Sequence, residues 1–205
     1  DVYKRQANIE EIKKYAEIGI IDGVTTNPAL LGLQGKDFRE VVKEITSIVD
    51  GPISGEVVSL DADGMVREAH ALAKLHDNIV VKIPATFAGL EALYRVNKEG
   101  IKTNFTVVYT ANQALLAAKN GATYVSPFVG RLDANAGVGA DLIVEIVQIY
   151  KNYGFKTQIL AASMRNSLYV KKAAIAGAHV ATVPPNVLDD MINSELSLVA
   201  LDGFL

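Results

Sequence analysis

Seven times along this chain a short run of β-branched and apolar residues gives way to a longer stretch with helical spacing of its apolar positions. The runs are IIDGVTTN at 20–27, ISGEVVS at 53–59, IVVKIPA at 79–85, KTNFTVV at 102–108, TYVSPFV at 123–129, TQILAAS at 157–163 and HVATVPP at 179–185. Between them stand segments such as DFREVVKEITSIV, DADGMVREAHALAKL and GADLIVEIVQIYKNY, whose apolar residues recur every three or four positions. Gly100, Gly121, Gly154 and Gly177 each close a helical stretch just before the next run, where a left-handed residue ends a helix. Strands apolar on both faces and linked by helices are the sequence mark of a parallel sheet.

An eighth amphipathic segment, ANIEEIKKYAEIG at 7–19, has no obvious strand before it. Eight helical units predict closure of the sheet into an α/β (β/α)8 TIM barrel whose first strand is altered. The competing arrangement is an open doubly wound sheet. It is disfavoured because neither G-x-G-x-x-G nor G-x-x-x-x-G-K-[ST] follows any of the runs. With 205 residues, 50% hydrophobic and 21% charged, and a uniform texture, the expectation is one domain over 1–205.

The formal net charge of −3 and the dispersed lysines offer no basic footprint for nucleic acid or an anionic membrane, so the expected partner is a small molecule. No apolar run approaches the ~18 residues of a membrane span, and no signal-peptide pattern opens the chain, so a cytoplasmic location is expected. The absence of cysteine excludes disulfides, zinc-thiolate sites and thiol nucleophiles. His70, His76 and His179 are the only histidines; the first two are predicted on one helix, six positions apart, a poor spacing for shared metal ligation. No metal site is expected.

In a barrel of this kind the chemistry sits at the C-terminal ends of the strands. Polar residues gather there: Thr25, Thr26 and Asn27; Glu56; Lys82; Asn104 and Thr106; Ser126, with Arg131 in the following loop; Ser163 and Arg165. Lys82, inside IVVKIPAT, is the most informative. Desolvation favours the neutral amine, a nucleophile that can form a Schiff base with a carbonyl and so provide an electron sink for carbon–carbon cleavage. A lysine that snorkels to the rim or only neutralises Glu56 fits the strand equally well. Glu56 and Thr106 are candidates for handling the water of carbinolamine formation, or simple partners of Lys82. Arg131 and Arg165 are candidates for gripping a phosphate, against the commoner fate of surface arginines. Ser126 and Ser163 are either hydroxyl donors or space-fillers.

The segments GVTTNPALL, IVVKIPAT, IKTNFTVVYTANQALLAAKNGATYVSPFVGRLD and ILAASMRN resemble the small transaldolase family, the branch that also holds fructose-6-phosphate aldolases, from about residue 7 to residue 200. The resemblance implies a (β/α)8 barrel and a metal-free, cofactor-free class I reaction through a lysine Schiff base. It implies transfer of a dihydroxyacetone unit from a ketose phosphate to an aldose phosphate. By the same resemblance Lys82 is the Schiff-base lysine, and Asn27 and Asn104 hold donor hydroxyls. Glu56 and Thr106 position the catalytic water, while Ser126, Arg131, Ser163 and Arg165 bind sugar and phosphate. Aldolase members of the family carry glutamine where this chain has Glu56 and tyrosine where it has Phe128. Glutamate and phenylalanine imply the transaldolase subtype, because no tyrosine hydroxyl is present to orient water for release of free dihydroxyacetone.

The chain departs from this pattern at its start. Where the family has an LDT-like triplet it reads Lys4, Arg5, Gln6, so Arg5 stands in place of the acid/base aspartate. The segment DVYKRQ reads as a foreign end, unsuited to a buried strand, and the enzyme as impaired. Family members also continue beyond the equivalent of Phe204 into a helix that helps subunits associate. The resemblance implies a homo-oligomer, a pentamer or decamer.

Overall fold

The computed structural model describes residues 2–5, 8–26, 37–136 and 138–204. Its centre is a closed barrel of eight parallel strands in sequence order. They are β1 (Val2–Arg5), β2 (Gly23–Thr25), β3 (Ile53–Glu56), β4 (Ile79–Pro84), β5 (Thr103–Val108), β6 (Tyr124–Pro127), β7 (Gln158–Ala161) and β8 (Val180–Val183). Around it lie α1 (Ile9–Glu17), α2 (Phe38–Thr46), α3 (Ala62–Ala73), α4 (Phe87–Lys98), α5 (Ala111–Lys119), α6 (Val129–Ala136), α7 (Gly139–Tyr153), α8 (Ser167–Ala176), α9 (Pro185–Ile192) and α10 (Glu195–Asp202).

The helices begin and end where local chemistry directs. Asn8, Asp37, Asp61, Thr86, Thr110 and Asn166 cap the N-termini of α1, α2, α3, α4, α5 and α8 by accepting backbone N–H groups. At Thr110 the cap is reciprocal, since the Gln113 side chain returns to the backbone N–H of Thr110. Gly154 and Gly177 close α7 and α8 with φ of 65° and 101°, a conformation that favours glycine.

The first strand corrects the sequence expectation. DVYKRQ looked unsuited to a strand, yet β1 closes the barrel, pairing Tyr3, Lys4 and Arg5 with Gly23, Val24 and Thr25, and Val2, Tyr3 and Lys4 with Ala181, Thr182 and Val183. The ladder is made by backbone groups, and any non-proline residue supplies a donor and an acceptor to the gap between β2 and β8. No sheet edge is left open. Two smaller corrections follow from strand ends. TYVSPFV is not one strand: Val129 already begins α6, so Arg131 lies on a helix. His76 falls beyond the end of α3 and does not share it with His70.

Strand alternation sorts side chains into two cores. Ile79, Val81 and Ile83 of β4, with Phe105, Val125, Ile159 and Val183, face outward into the apolar layer under the helices. Inside the barrel a separate plug of Val80, Tyr124, Leu160 and Val180 fills one level. Two residues further along β4, β6 and β8, toward the C-terminal ends, the same inward phase delivers Lys82, Ser126 and Thr182. The barrel interior is thus apolar below and polar above. That arrangement places a charged amine over an oily floor and under an open rim.

Candidate active site

The polar level forms a cavity of about 280 Å³, lined among others by Thr25, Glu56, Lys82, Asn104, Thr106, Ser126, Phe128, Arg131, Ser163 and Thr182. Glu56, Lys82 and Asn104 make one register row, Glu56 opposite Lys82 and Lys82 opposite Asn104 on adjacent strands. The row brings the Lys82 ammonium to donate to Glu56 Oε2 at 2.8 Å. Both side chains are mostly enclosed, 13% and 21% exposed. Of the two readings the sequence left open for Lys82, a free nucleophile or a partner of Glu56, the structure shows the pairing.

The carboxylate is itself held. Val57 N–H donates to the Lys82 carbonyl at 3.1 Å, locking the end of β3 against β4. The loop beyond is clamped by Glu68 of α3, which accepts from the backbone N–H groups of Val58 and Ser59 at 2.6 and 3.2 Å and from the Ser59 hydroxyl. These contacts fix the backbone immediately after Glu56.

Asn104 is fully buried, and its carbonyl oxygen accepts from the Ser126 hydroxyl at 2.8 Å. That bond fixes the amide so that Nδ2 is left, among the described residues, without a hydrogen-bond partner. A buried donor without a partner is costly in an empty protein and is satisfied when a ligand oxygen reaches it. Across the cavity the hydroxyls of Thr25 and Thr182 lie 2.6 Å apart, joining β2 to β8.

At the rim Ser163 adopts a left-handed backbone, φ 63°, rare for a residue other than glycine. The α6 backbone presses against it. A Cβ on Gly130 would stand 1.8 Å from the Ser163 carbonyl oxygen, so only glycine permits this approach. The approach brings Ser163 and the residue after Gly130, Arg131, to the same sector of the cavity.

Of the residues singled out in the sequence, Glu56, Lys82, Asn104, Thr106, Ser126, Phe128, Arg131 and Ser163 therefore converge. Arg165 does not: it is exposed and outside the cavity lining. Asn27 lies outside the described residues. Sequence reasoning missed Thr182 and Val107. The first was legible, as the polar member of VATV in the same phase as Val180; the second was not.

The model of the Transaldolase/Fructose-6-phosphate aldolase family matches residues 6–201. The chain belongs to this transaldolase family. A "probable transaldolase" of Caldicellulosiruptor saccharolyticus is 58% identical over 200 residues, covering 97% of this chain and 92% of that protein. Another from Clostridium botulinum is 52% identical over 204 residues, 100% of this chain and 95% of the relative. A third, from Methanococcus vannielii, is 53% identical over 199 residues, 97% of this chain and 93% of that protein. Among solved structures, thiamine phosphate pyrophosphorylase from Pyrococcus furiosus superposes with a TM-score of 0.62 at 15% identity, covering 93% of each chain, a likeness of fold alone. Among the described residues of this transaldolase-family chain, no helix is long and apolar enough to cross a membrane.

Proposed function

We propose that the protein is a class I transaldolase that moves a dihydroxyacetone unit from a ketose phosphate, fructose 6-phosphate or sedoheptulose 7-phosphate, to an aldose phosphate, as in the pentose phosphate pathway. The observation that carries this reading is the Lys82–Glu56 pair at 2.8 Å, set on the apolar floor of a polar cavity. Glu56 takes the ammonium proton, and the freed amine adds to the C2 carbonyl of the donor to give a carbinolamine. Proton return from Glu56, with Thr106 holding the departing water, yields the iminium and one water. The iminium draws the electron pair of the C3–C4 bond as that bond breaks, the C4 hydroxyl gives its proton to solvent water, and an aldose phosphate departs. The enamine left on Lys82 then adds to the acceptor aldehyde, and water hydrolyses the new iminium.

The buried Asn104 amide, unpartnered among the described residues, supports a hydroxyl-rich donor, and Arg131 with Ser163 supports an anionic far end. Phe128 supports transfer over release, since the ring offers no hydroxyl to activate water. A fructose-6-phosphate aldolase would instead release free dihydroxyacetone without an acceptor. A cytoplasmic homo-oligomer, pentamer or decamer, completes the proposal, supported by exposed apolar side chains at Ile192, Leu196, Val199 and Phe204 on and beside α9 and α10. Light scattering is expected to give five or ten times the 22.0 kDa chain mass, and a monomer would overturn this part.

The test of the reaction is covalent trapping. Incubation with fructose 6-phosphate and borohydride is expected to add the reduced dihydroxyacetone or hexose phosphate mass to the peptide containing Lys82. Folded protein that binds fructose 6-phosphate but gains no mass would instead be a non-catalytic sugar-phosphate binder.

A further inference from the structure

One left-handed residue changes which side chains of β5 reach the site. Asn104 and Thr106 face the cavity, and strict alternation would turn Val107 out and Val108 in. Val107 instead has φ 61°, and the β5–β6 register shifts between Phe105 and Val108. Val107 therefore joins Thr106 on the cavity wall, Val108 goes to the outer core, and Tyr109 lies just outside the cavity lining, against Phe128 and Arg131. A β-branched residue at positive φ is strained, and strain of this kind persists where the surroundings enforce it. Here they do: Phe128 N–H donates to the Val108 carbonyl at 3.0 Å, and Gln113 Oε1 accepts from the Tyr109 N–H at 2.8 Å.

Tyr109 there is a partner for the Arg131 cation. Arg131 is exposed, and its Nη1 donates to the Tyr109 hydroxyl at 3.4 Å. The guanidinium sits 5.7 Å over the Phe128 ring. Tyr109 and Phe128 meet edge to face, centroids 5.7 Å apart at 65°. The ring face and the hydroxyl together restrict a side chain that would otherwise lose much rotamer freedom on gripping a ligand.

We propose that Tyr109 is a specificity-determining positioning residue that holds Arg131 ready for the phosphoryl end of the substrate and so sets the preference for phosphorylated over unphosphorylated sugars. The inference rests on the sugar-phosphate reading of the cavity. With one guanidinium N–H engaged by Tyr109, the remaining donors are free to face a phosphate in the cavity.

The test compares wild type, Tyr109→Phe, Arg131→Ala and the double variant with fructose 6-phosphate and with unphosphorylated fructose, together with inhibition by inorganic phosphate. Tyr109→Phe removes one oxygen and keeps the ring contact. It is expected to lower kcat/KM for fructose 6-phosphate about 5- to 10-fold, mainly through KM, as befits one charge-assisted hydrogen bond. Phosphate inhibition should weaken by the same factor, and the rate with fructose should change far less. The double variant should be no worse than Arg131→Ala. Should Arg131→Ala collapse the preference for phosphorylated donor while Tyr109→Phe leaves it and phosphate inhibition untouched, Tyr109 has no such role and the site reading stands. Should Arg131→Ala leave the preference intact, the phosphate assignment of this sector fails and Tyr109's role with it. A fall with both sugars alike would make Tyr109 merely structural, which also overturns the proposal.

Discussion

A Lys82→Met chain is expected to lose turnover by more than the roughly 10²- to 10⁴-fold that removal of a general acid or base costs, because the covalent path itself disappears. Methionine keeps an unbranched side chain over the plug of Val80, Tyr124, Leu160 and Val180, so the barrel interior stays filled. The change leaves Glu56 without its partner at 2.8 Å. Both groups retain some solvent contact, so the stability lost should be well below the ~3–5 kcal/mol of a broken, fully buried pair. Two measurements separate chemistry from folding. Denaturant unfolding should show a cooperative transition near that of wild type, and fructose 6-phosphate should still bind through Asn104, Ser163 and Arg131 while borohydride adds no mass. A Lys82→Met chain that keeps even a hundredth of wild-type turnover would rule out the Schiff-base path.

The same lysine shows how far the sequence could be read. Its position in an apolar run, with proline two places on, marked the end of a buried strand, and the βα repetition put that end on a common rim with Glu56, Asn104, Thr106 and Ser126. Alternation and parallel order are enough for this much, since they fix phase and direction without contact information. The direct pairing of Lys82 with Glu56 needed register, which the runs do not state; the structure sets it by aligning Ile53 with Ile79. Helix ends were legible because glycine reports the left-handed turn, as Gly154 and Gly177 do.

Three features were beyond that kind of reading. Val107 carries the left-handed conformation in a segment, NFTVVYT, with no glycine to announce it, so strict alternation turns Val107 outward and hides Tyr109, although the strand does run to Val108. Arg165 follows a run that looks seven residues long, whereas β7 stops at Ala161 and the arginine is exposed. The first strand carries Lys4 and Arg5 where a buried apolar strand was expected and forms nonetheless, because closing the ladder between β2 and β8 is the work of backbone groups.

That strand sets the second large effect. Arg5 ends β1 and pairs in register with Thr25, which lines the cavity. The backbone therefore places position 5 at the level of the polar cavity, where the resemblance to the family implies an aspartate that takes the C4 hydroxyl proton during bond cleavage. An arginine cannot accept that proton, since its guanidinium stays charged at any working pH. On the proposed mechanism Schiff-base formation draws on Lys82, Glu56 and Thr106 and does not need the aspartate, so the wild-type chain should trap the uncleaved ketose phosphate on Lys82 yet break its C3–C4 bond slowly. Arg5→Asp is expected to raise transfer by about 10²- to 10⁴-fold, the usual contribution of a positioned acid/base group. Arg5→Asn is the control that removes the cation without supplying a base. If Asn and Asp accelerate transfer equally, the harm done by Arg5 is electrostatic and no base acts at this position; if neither accelerates it, proton transfer at C4 is served from elsewhere on the rim. A rate gain confined to Arg5→Asp, with borohydride trapping on Lys82 unchanged in all three chains, would divide the mechanism between β4, which holds the intermediate, and β1, which opens the bond beyond it.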